Sequence, residues 1–294
     1  MNEHNIKIEI DNKAGFCQGV VNAIRIAENE LKKGEKIYCL GDIVHNKTEV
    51  ERLQSLGLIT INYEEFETLS DCKVIVRAHG EPPSTFKTAK ERSITIIDAT
   101  CSIVFKLQQE IKESKSNLNA ADSEIIIVGK QGHPEVLGLL GQVEGKAMVI
   151  SSVKDLETIE KFRKNLLIFS QTTMDKNVYA DVIREISLKA ECRKIGITNS
   201  ICKHVLNRKD SIISFARNHD IVFFVSSSNS SNGMYLFNIC KKENPNTFLL
   251  NSAEEIDFSL LPNIKSIGVS GATSTPMWLM EQVAERIDEF LSKR

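Results

Sequence analysis

Short runs of β-branched and aliphatic residues alternate along the whole chain with amphipathic stretches of helical length. The runs at Ile6–Ile10, Lys36–Leu40, Lys73–Val76, Ile94–Ile97, Glu124–Val128, Ala147–Ile150, Leu166–Phe169, Lys194–Ile197, Ile221–Val225, Thr247–Leu250 and Ser266–Val269 predict strands. Between them, Gln18–Lys33, Ile103–Lys115, Lys176–Ala190, Val205–Asn218 and Met277–Leu291 predict helices. Nearly continuous apolar strands joined by crossover helices imply parallel sheets covered on both faces, hence an α/β fold. No Pro/Ser-rich linker, low-complexity tract or charge block divides the chain.

A regularity appears instead where the strands end. The first run leads to Gly15-Phe16-Cys17, the next to His45-Asn46 and the third to His79-Gly80. Ile94–Ile97 leads to Asp98-Ala99-Thr100-Cys101, Val128 to Gly132-His133-Pro134-Glu135, and Phe169 to Gln171-Thr172-Thr173. Later come Ser200-Ile201-Cys202, Ser230-Ser231-Asn232 and Ser274-Thr275-Pro276. Three times a strand ends in a cysteine while its neighbours end in His, Ser, Thr, Asn or Glu. This is a repeat of layout rather than of sequence. It divides the chain into three small α/β modules: 1–101 with the N-terminal strand, 102–197, and 198–294 with the C-terminal helix. The carboxyl ends of parallel strands are where ligands bind in open α/β sheets.

Composition narrows the function classes. The 294 residues are 41% hydrophobic and 26% charged, ordinary values for a soluble globular protein. With 37 Lys plus Arg against 39 Asp plus Glu, the net charge of −2 argues against general affinity for nucleic acid or an anionic membrane. The longest apolar stretches fall far short of the ~20 residues of a membrane helix. Met1–Asp11 is charged and lacks the apolar core of a secretion signal, so a cytoplasmic protein is expected. Seven cysteines in a reducing compartment are not expected to form disulfides, and no pair has C-x-x-C spacing.

Cys17, Cys101 and Cys202, brought together by three modules facing one centre, suggest a metal or cluster with an open coordination position. Structural zinc normally closes with a fourth ligand, and an iron–sulfur cluster usually takes four cysteines. Unrelated buried thiols are the bland alternative, and Cys39, Cys72, Cys192 and Cys240 are read as packing residues. His45, His79 and His133 each follow a strand, where packing does not call for imidazole; His4 and His219 are expected in exposed polar segments. Glu135, at the start of a predicted helix, is a candidate general acid if burial raises its pKa, or else a helix cap. Ser230-Ser231-Asn232-Gly233 and Gly271-Ala272-Thr273-Ser274 precede helices, where hydroxyls and backbone N–H groups can hold an anion or simply cap.

Together these segments resemble the 4-hydroxy-3-methylbut-2-enyl diphosphate reductase family. The matching stretches are Gly15-Phe16-Cys17-Gln18-Gly19-Val20, Gly41-Asp42-Ile43-Val44-His45-Asn46, Ala78-His79-Gly80, Asp98-Ala99-Thr100-Cys101, Gly132-His133-Pro134-Glu135, Gln171-Thr172-Thr173, Ile201-Cys202, Asn207-Arg208, Asn229-Ser230-Ser231-Asn232 and Ser274-Thr275-Pro276. They come in the family's order and span nearly the whole chain. The chain departs from the family's usual pattern at Ser102, Asn199-Ser200 and Lys203-His204-Val205.

The resemblance implies a cloverleaf of three α/β domains around one [4Fe-4S] cluster. Cys17, Cys101 and Cys202 would hold it, leaving the fourth iron open to substrate. It further implies that His45, His79 and His133 line the substrate cavity, that Thr172 lies near the substrate hydroxyl, and that Ser230, Ser231, Asn232 and Ser274 hold the diphosphate. Glu135 would deliver protons. The implied reaction is two-electron reductive dehydroxylation to isopentenyl and dimethylallyl diphosphate, the last step of the methylerythritol phosphate pathway, with a ferredoxin or flavodoxin as donor. A monomer is expected. A non-catalytic iron–sulfur sensor on the same scaffold is the alternative, against which the joint presence of His133, Glu135, Ser230, Ser231 and Asn232 counts. A zinc hydrolase would be colourless where a cluster is brown.

Overall fold

The computed structural model describes residues 6–117, 122–190, 194–226, 230–261 and 264–293, with the side chains at 117, 206, 231 and 232 outside the described part. Its strands form three four-stranded sheets, parallel throughout. The last sheet includes β1 (Lys7–Ile10). The first combines β2 (Ile37–Leu40), β3 (Leu58–Ile61), β4 (Lys73–Val76) and β5 (Thr95–Asp98), in the spatial order β3-β2-β4-β5. The second combines β6 (Ser123–Val128), β7 (Ala147–Ile150), β8 (Asn165–Ser170) and β9 (Lys194–Ile197), ordered β7-β6-β8-β9. The third orders β10 (Ile221–Val225), β11 (Thr247–Leu250) and β12 (Ser266–Gly271) as β11-β10-β12-β1. All three share one topology once β1 is counted as the fourth strand of the last.

The N-terminal strand therefore does not belong with the module 1–101 expected from sequence. Lys7–Ile10 pairs in register with Ser266–Val269. The physical reason is that the first sheet already has its fourth strand in β5. Ile6, Ile8 and Ile10 instead pack on the core of Val269, Met280, Val283 and Ile287. β3 was absent from the predicted strands; it is four residues long and lies at a sheet edge, directly after a glycine turn.

Ten α-helices alternate with these strands among the described residues. They are α1 (Gln18–Leu31), α2 (Lys47–Ser55), α3 (Tyr63–Thr68), α4 (Pro83–Glu91), α5 (Ser102–Asn117), α6 (Pro134–Gln142), α7 (Lys176–Lys189), α8 (Lys203–Arg217), α9 (Ser231–Glu243) and α10 (Met277–Ser292). Helical periodicity sets their inner faces: Leu279, Met280, Val283 and Ile287 of α10 are buried, as are Tyr179, Val182 and Ile186 of α7. Each fully buried aliphatic side chain contributes roughly 1.5–3 kcal/mol. No helix among the described residues is long and apolar enough to cross a membrane.

The chain divides into two compact units. One comprises the chain up to Val21, Val44–Arg52 and the chain from Asn207, and the other Asn22–Ile43 with Leu53–Leu206. The second unit contains the first two sheets, which meet through α4, α5 and α6. Close approach there depends on Gly141, where a Cβ would lie 2.2 Å from the Cβ of Pro82 and 2.9 Å from its Cα. Gly141→Ala is therefore expected to destabilise by about 1–3 kcal/mol through overpacking, despite alanine's better helix propensity. The urea midpoint measures this, and an unchanged or raised midpoint would show that α4 and α6 can slide apart freely.

Candidate active site

Each of the three cysteines singled out above directly precedes a helix and follows the edge strand that is fourth in its sheet: Cys17 after β1, Cys101 after β5 and Cys202 after β9. The histidine, hydroxyl and carboxyl candidates follow the first and third strands. The shared topology thus turns the layout seen in the sequence into equivalent positions on three sheets.

In the larger unit, Asp98 accepts the Thr100 N–H at 2.9 Å, and the Cys101 N–H donates to the Ala78 carbonyl at 3.0 Å. This fixes Cys101 beside the segment carrying His79. The rings of His79 and His133 meet edge to face, 5.3 Å between centroids. His133 is the N-cap of α6, its Nδ1 accepting the Glu135 N–H at 3.1 Å. An accepting Nδ1 leaves the ring's proton on Nε2 in the neutral form. The contact also shapes the first helical turn so that Glu135 points inward.

Glu135 is only 1% exposed. Its Oε1 accepts the Thr172 N–H at 2.7 Å and its Oε2 the Thr172 hydroxyl at 2.9 Å. The Thr172 carbonyl in turn accepts the Cys202 N–H at 2.8 Å. Burial, which disfavours the charged form, pushes the Glu135 carboxyl up from its ordinary 4.5 to about 7, against the opposing pull of the two Thr172 hydrogen bonds. The result is a buried acid that changes protonation near neutrality and is joined through one threonine to the backbone of Cys202.

In the other unit, Ser230 caps α9 by accepting the Gly233 N–H at 3.1 Å, and its hydroxyl lies 3.4 Å from that of Ser274. Two hydroxyls at a helix N-terminus form an anion-binding arrangement. His45 is exposed and follows the end of β2, just before α2. Cys17 is partly buried and accepts the Val21 N–H at 3.0 Å through its carbonyl. The side chains of Ser231 and Asn232 lie outside the described residues.

Sequence reasoning quoted Arg208 but gave it no role. Its guanidinium donates to Asp11 Oδ2 at 2.8 Å, to the Ser270 hydroxyl at 2.9 Å and to the Gly271 carbonyl at 2.9 Å, all buried. Asp11 also accepts the Ser270 hydroxyl at 2.9 Å and the Lys13 N–H at 3.0 Å. One buried arginine therefore fixes the starts of both the loop to Cys17 and the loop to Ser274. The available signal was a lone Asp after a strand and an Arg one turn into a helix, far apart in sequence. His219, expected to be exposed, is buried: its Nδ1 lies 2.8 Å from the Phe215 carbonyl and its ring packs on Phe215.

The raised pKa of Glu135 has a stability consequence. The folded protein holds a proton there that the unfolded chain releases between pH 4.5 and about 7. Stability from this group is thus present below pH 4.5 and is lost as pH rises toward about 7. Glu135→Gln has no such proton, so its stability relative to the parent should climb across that window and level off above it, by about 1.4 kcal/mol per pH unit. Urea unfolding of both proteins from pH 4 to 8 measures it, and a constant difference would show an unperturbed carboxyl.

Residues 8–288 match the family model described as LytB protein. The 4-hydroxy-3-methylbut-2-enyl diphosphate reductase of Bacteroides fragilis is 51% identical over 286 residues, covering 96% of this chain and 97% of the relative. That of Bacteroides thetaiotaomicron is 49% identical over 283 residues, with 96% and 98% covered. A solved structure of (E)-4-hydroxy-3-methyl-but-2-enyl diphosphate reductase, the terminal enzyme of the non-mevalonate pathway, superposes with a TM-score of 0.80 at 33% identity, covering 97% of this chain and 99% of that one. The enzyme from Plasmodium falciparum superposes with a TM-score of 0.79 at 27% identity, covering 96% of this chain and 87% of that one. Sequence and fold agree along almost the entire length, and the chain belongs to the LytB, or 4-hydroxy-3-methylbut-2-enyl diphosphate reductase, family.

Proposed function

We propose that the chain is an oxidoreductase that removes the hydroxyl of 4-hydroxy-3-methylbut-2-enyl diphosphate as water, giving isopentenyl and dimethylallyl diphosphate in the last step of the methylerythritol phosphate pathway. The observation that carries this reading is Glu135, a buried carboxyl poised by Thr172, in a chain whose named relatives reduce this substrate. Two electrons and two protons convert the allylic alcohol to the alkene and water. A carboxyl with a pKa of about 7 is suited to deliver the first proton to the departing hydroxyl. The Thr172 hydroxyl donates to the carboxylate and accepts from the carboxylic acid, so the same contact can reverse as the proton moves. His45, His79 and His133 line the substrate cavity. Ser230, Ser231, Asn232 and Ser274 hold the diphosphate with hydroxyls, amides and the α9 terminus, preorganised dipoles that need no counter-cation.

The donor set fits an iron–sulfur cluster. Cys17, Cys101 and Cys202 are partly buried cysteines at equivalent places on three like sheets, and three thiolates would leave one iron without a protein ligand. A [4Fe-4S] cluster so held would supply the electrons and a Lewis-acidic iron. The electron donor in this reading is a ferredoxin or flavodoxin. Cysteines used as cluster ligands suit a reducing, cytoplasmic location, and the chain acts as a monomer. The relatives are reductases, which gives the sensor and zinc-hydrolase readings no support.

Anaerobic turnover of the substrate with a reduced dye tests the assignment. Serine in place of Cys17, Cys101 or Cys202 should abolish visible absorption and activity, whereas serine at Cys39, Cys72, Cys192 or Cys240 should leave cluster content nearly unchanged. Full iron in any of the first three variants would remove that residue from the ligand set. Glu135→Gln should keep the cluster and the substrate-induced spectral shift but lose turnover by ~10²–10⁴-fold. Near-normal turnover in that variant would reduce Glu135 to a helix-cap residue.

A further inference from the structure

Two buried charges flank His79 in sequence and have no part in the chemistry above. Arg77 is 6% exposed and Glu81 1%. The Gly80 N–H donates to the Arg77 carbonyl at 3.0 Å, which closes a tight turn with His79 at its third position. Arg77 and Glu81 face each other across this turn, Nη2 to Oε1 at 4.0 Å. The second carboxylate oxygen of Glu81 accepts the Tyr63 hydroxyl at 2.6 Å and the Thr85 hydroxyl at 3.3 Å, tying the turn to α3 and α4. On the other side the guanidinium presses against Gly41 (φ +71°), where a Cβ would lie 2.4–2.8 Å from three guanidinium atoms, and Nη1 reaches the Asp42 carbonyl at 3.5 Å.

This arrangement is costly as mere packing. Each buried ion carries a desolvation penalty of several kcal/mol, and apolar residues of similar volume often stabilise as well or better. What these polar groups add is direction: Glu81 bonded to Tyr63 and Thr85 on one side of the turn, and Arg77 set against Gly41 and the Asp42 carbonyl on the other, where aliphatic contacts would allow it to slide. We propose that Arg77, Glu81 and Tyr63 are positioning residues that hold the His79 turn in the orientation needed to meet substrate. The proposal rests on the reading that His79 touches substrate, and it concerns residues outside the candidate catalytic and binding set.

The test uses the cluster-loaded protein with Tyr63→Phe and Glu81→Gln, each alone and combined with His79→Ala. Tyr63→Phe removes one hydroxyl from a half-exposed ring and keeps the test open if Glu81→Gln folds poorly. With His79 present, each change should lower kcat/KM by about 10–100-fold, mainly through KM, as expected for a misplaced binding group. With His79→Ala already made, the same change should cost nothing further. In parallel, diethyl pyrocarbonate labelling read by peptide mass spectrometry should show His79 modified several-fold faster in the single variants. The rate at buried His219, a gauge of global opening, should not change. Equal losses in both backgrounds, or labelling of His79 at the parental rate, would overturn the positioning role. A parent protein that turns over no substrate overturns the proposed function instead, and the labelling then decides the positioning by itself.

Discussion

Strands that run parallel all leave their sheet at the same edge, and the chain must return across a helix before the next can begin. That constraint places the end of every strand on one rim of its sheet and makes each departing loop a neighbour of the others. In this protein the same four-strand winding occurs three times, so each rim offers three kinds of exit: after the first, third and fourth strands. The fourth exits carry Cys101, Cys202 and Cys17, the third His79, Thr172 and Ser274, and the first His45, His133 with Glu135, and Ser230. Chemistry is distributed by topology before any side chain is oriented.

Orientation then comes from a few buried polar groups handled in contrasting ways. Asp11 is given a guanidinium and two further donors, so its charge is matched where it is buried. Glu135 is given only a hydroxyl and a backbone N–H from a single residue, too little to offset desolvation, so the proton becomes easy to hold and to release near neutrality. The first arrangement shapes loops and the second suits proton transfer. Among the described residues, the two carboxylates differ in that a guanidinium donates to Asp11 while Thr172 alone donates to Glu135.

The strand runs and long helices were legible in the sequence because apolar periodicity reports burial directly, and Lys73–Val76, Ala147–Ile150 and Ile221–Val225 coincide with the predicted strands. The winding was legible only in part. Residues 7–10 look like the opening of the nearest module, and their pairing with 266–271 depends on which sheet lacks an edge, a property no local pattern carries. β3 was missed for a different reason: only two residues separate Leu58–Ile61 from the end of α2 at Ser55, so its apolar run merges with the helical pattern of Leu53 and Leu56 before it. His219 looked exposed beside Asn218 and Asp220, yet its ring fills space beside Gly268 that a larger neighbour would have taken. The short helices α3, α4 and α6 begin at Asn62, Pro82 and His133 through local capping or proline geometry rather than through an apolar face of helical length.

The pairing of β1 with β12 also bears on how the chain is made. During synthesis the sheets of residues 37–98 and 123–197 have all their strands as soon as their own segments emerge. The strand at 7–10 has no partner until residues 266–271 leave the ribosome, so it waits through nearly the whole of translation with its backbone groups in water. At the ~5–20 residues per second typical of translation, that interval is on the order of ten seconds to a minute. The loop to Cys17 hangs from that waiting strand. This cysteine therefore remains on unstructured chain long after Cys101 and Cys202 have acquired their surroundings.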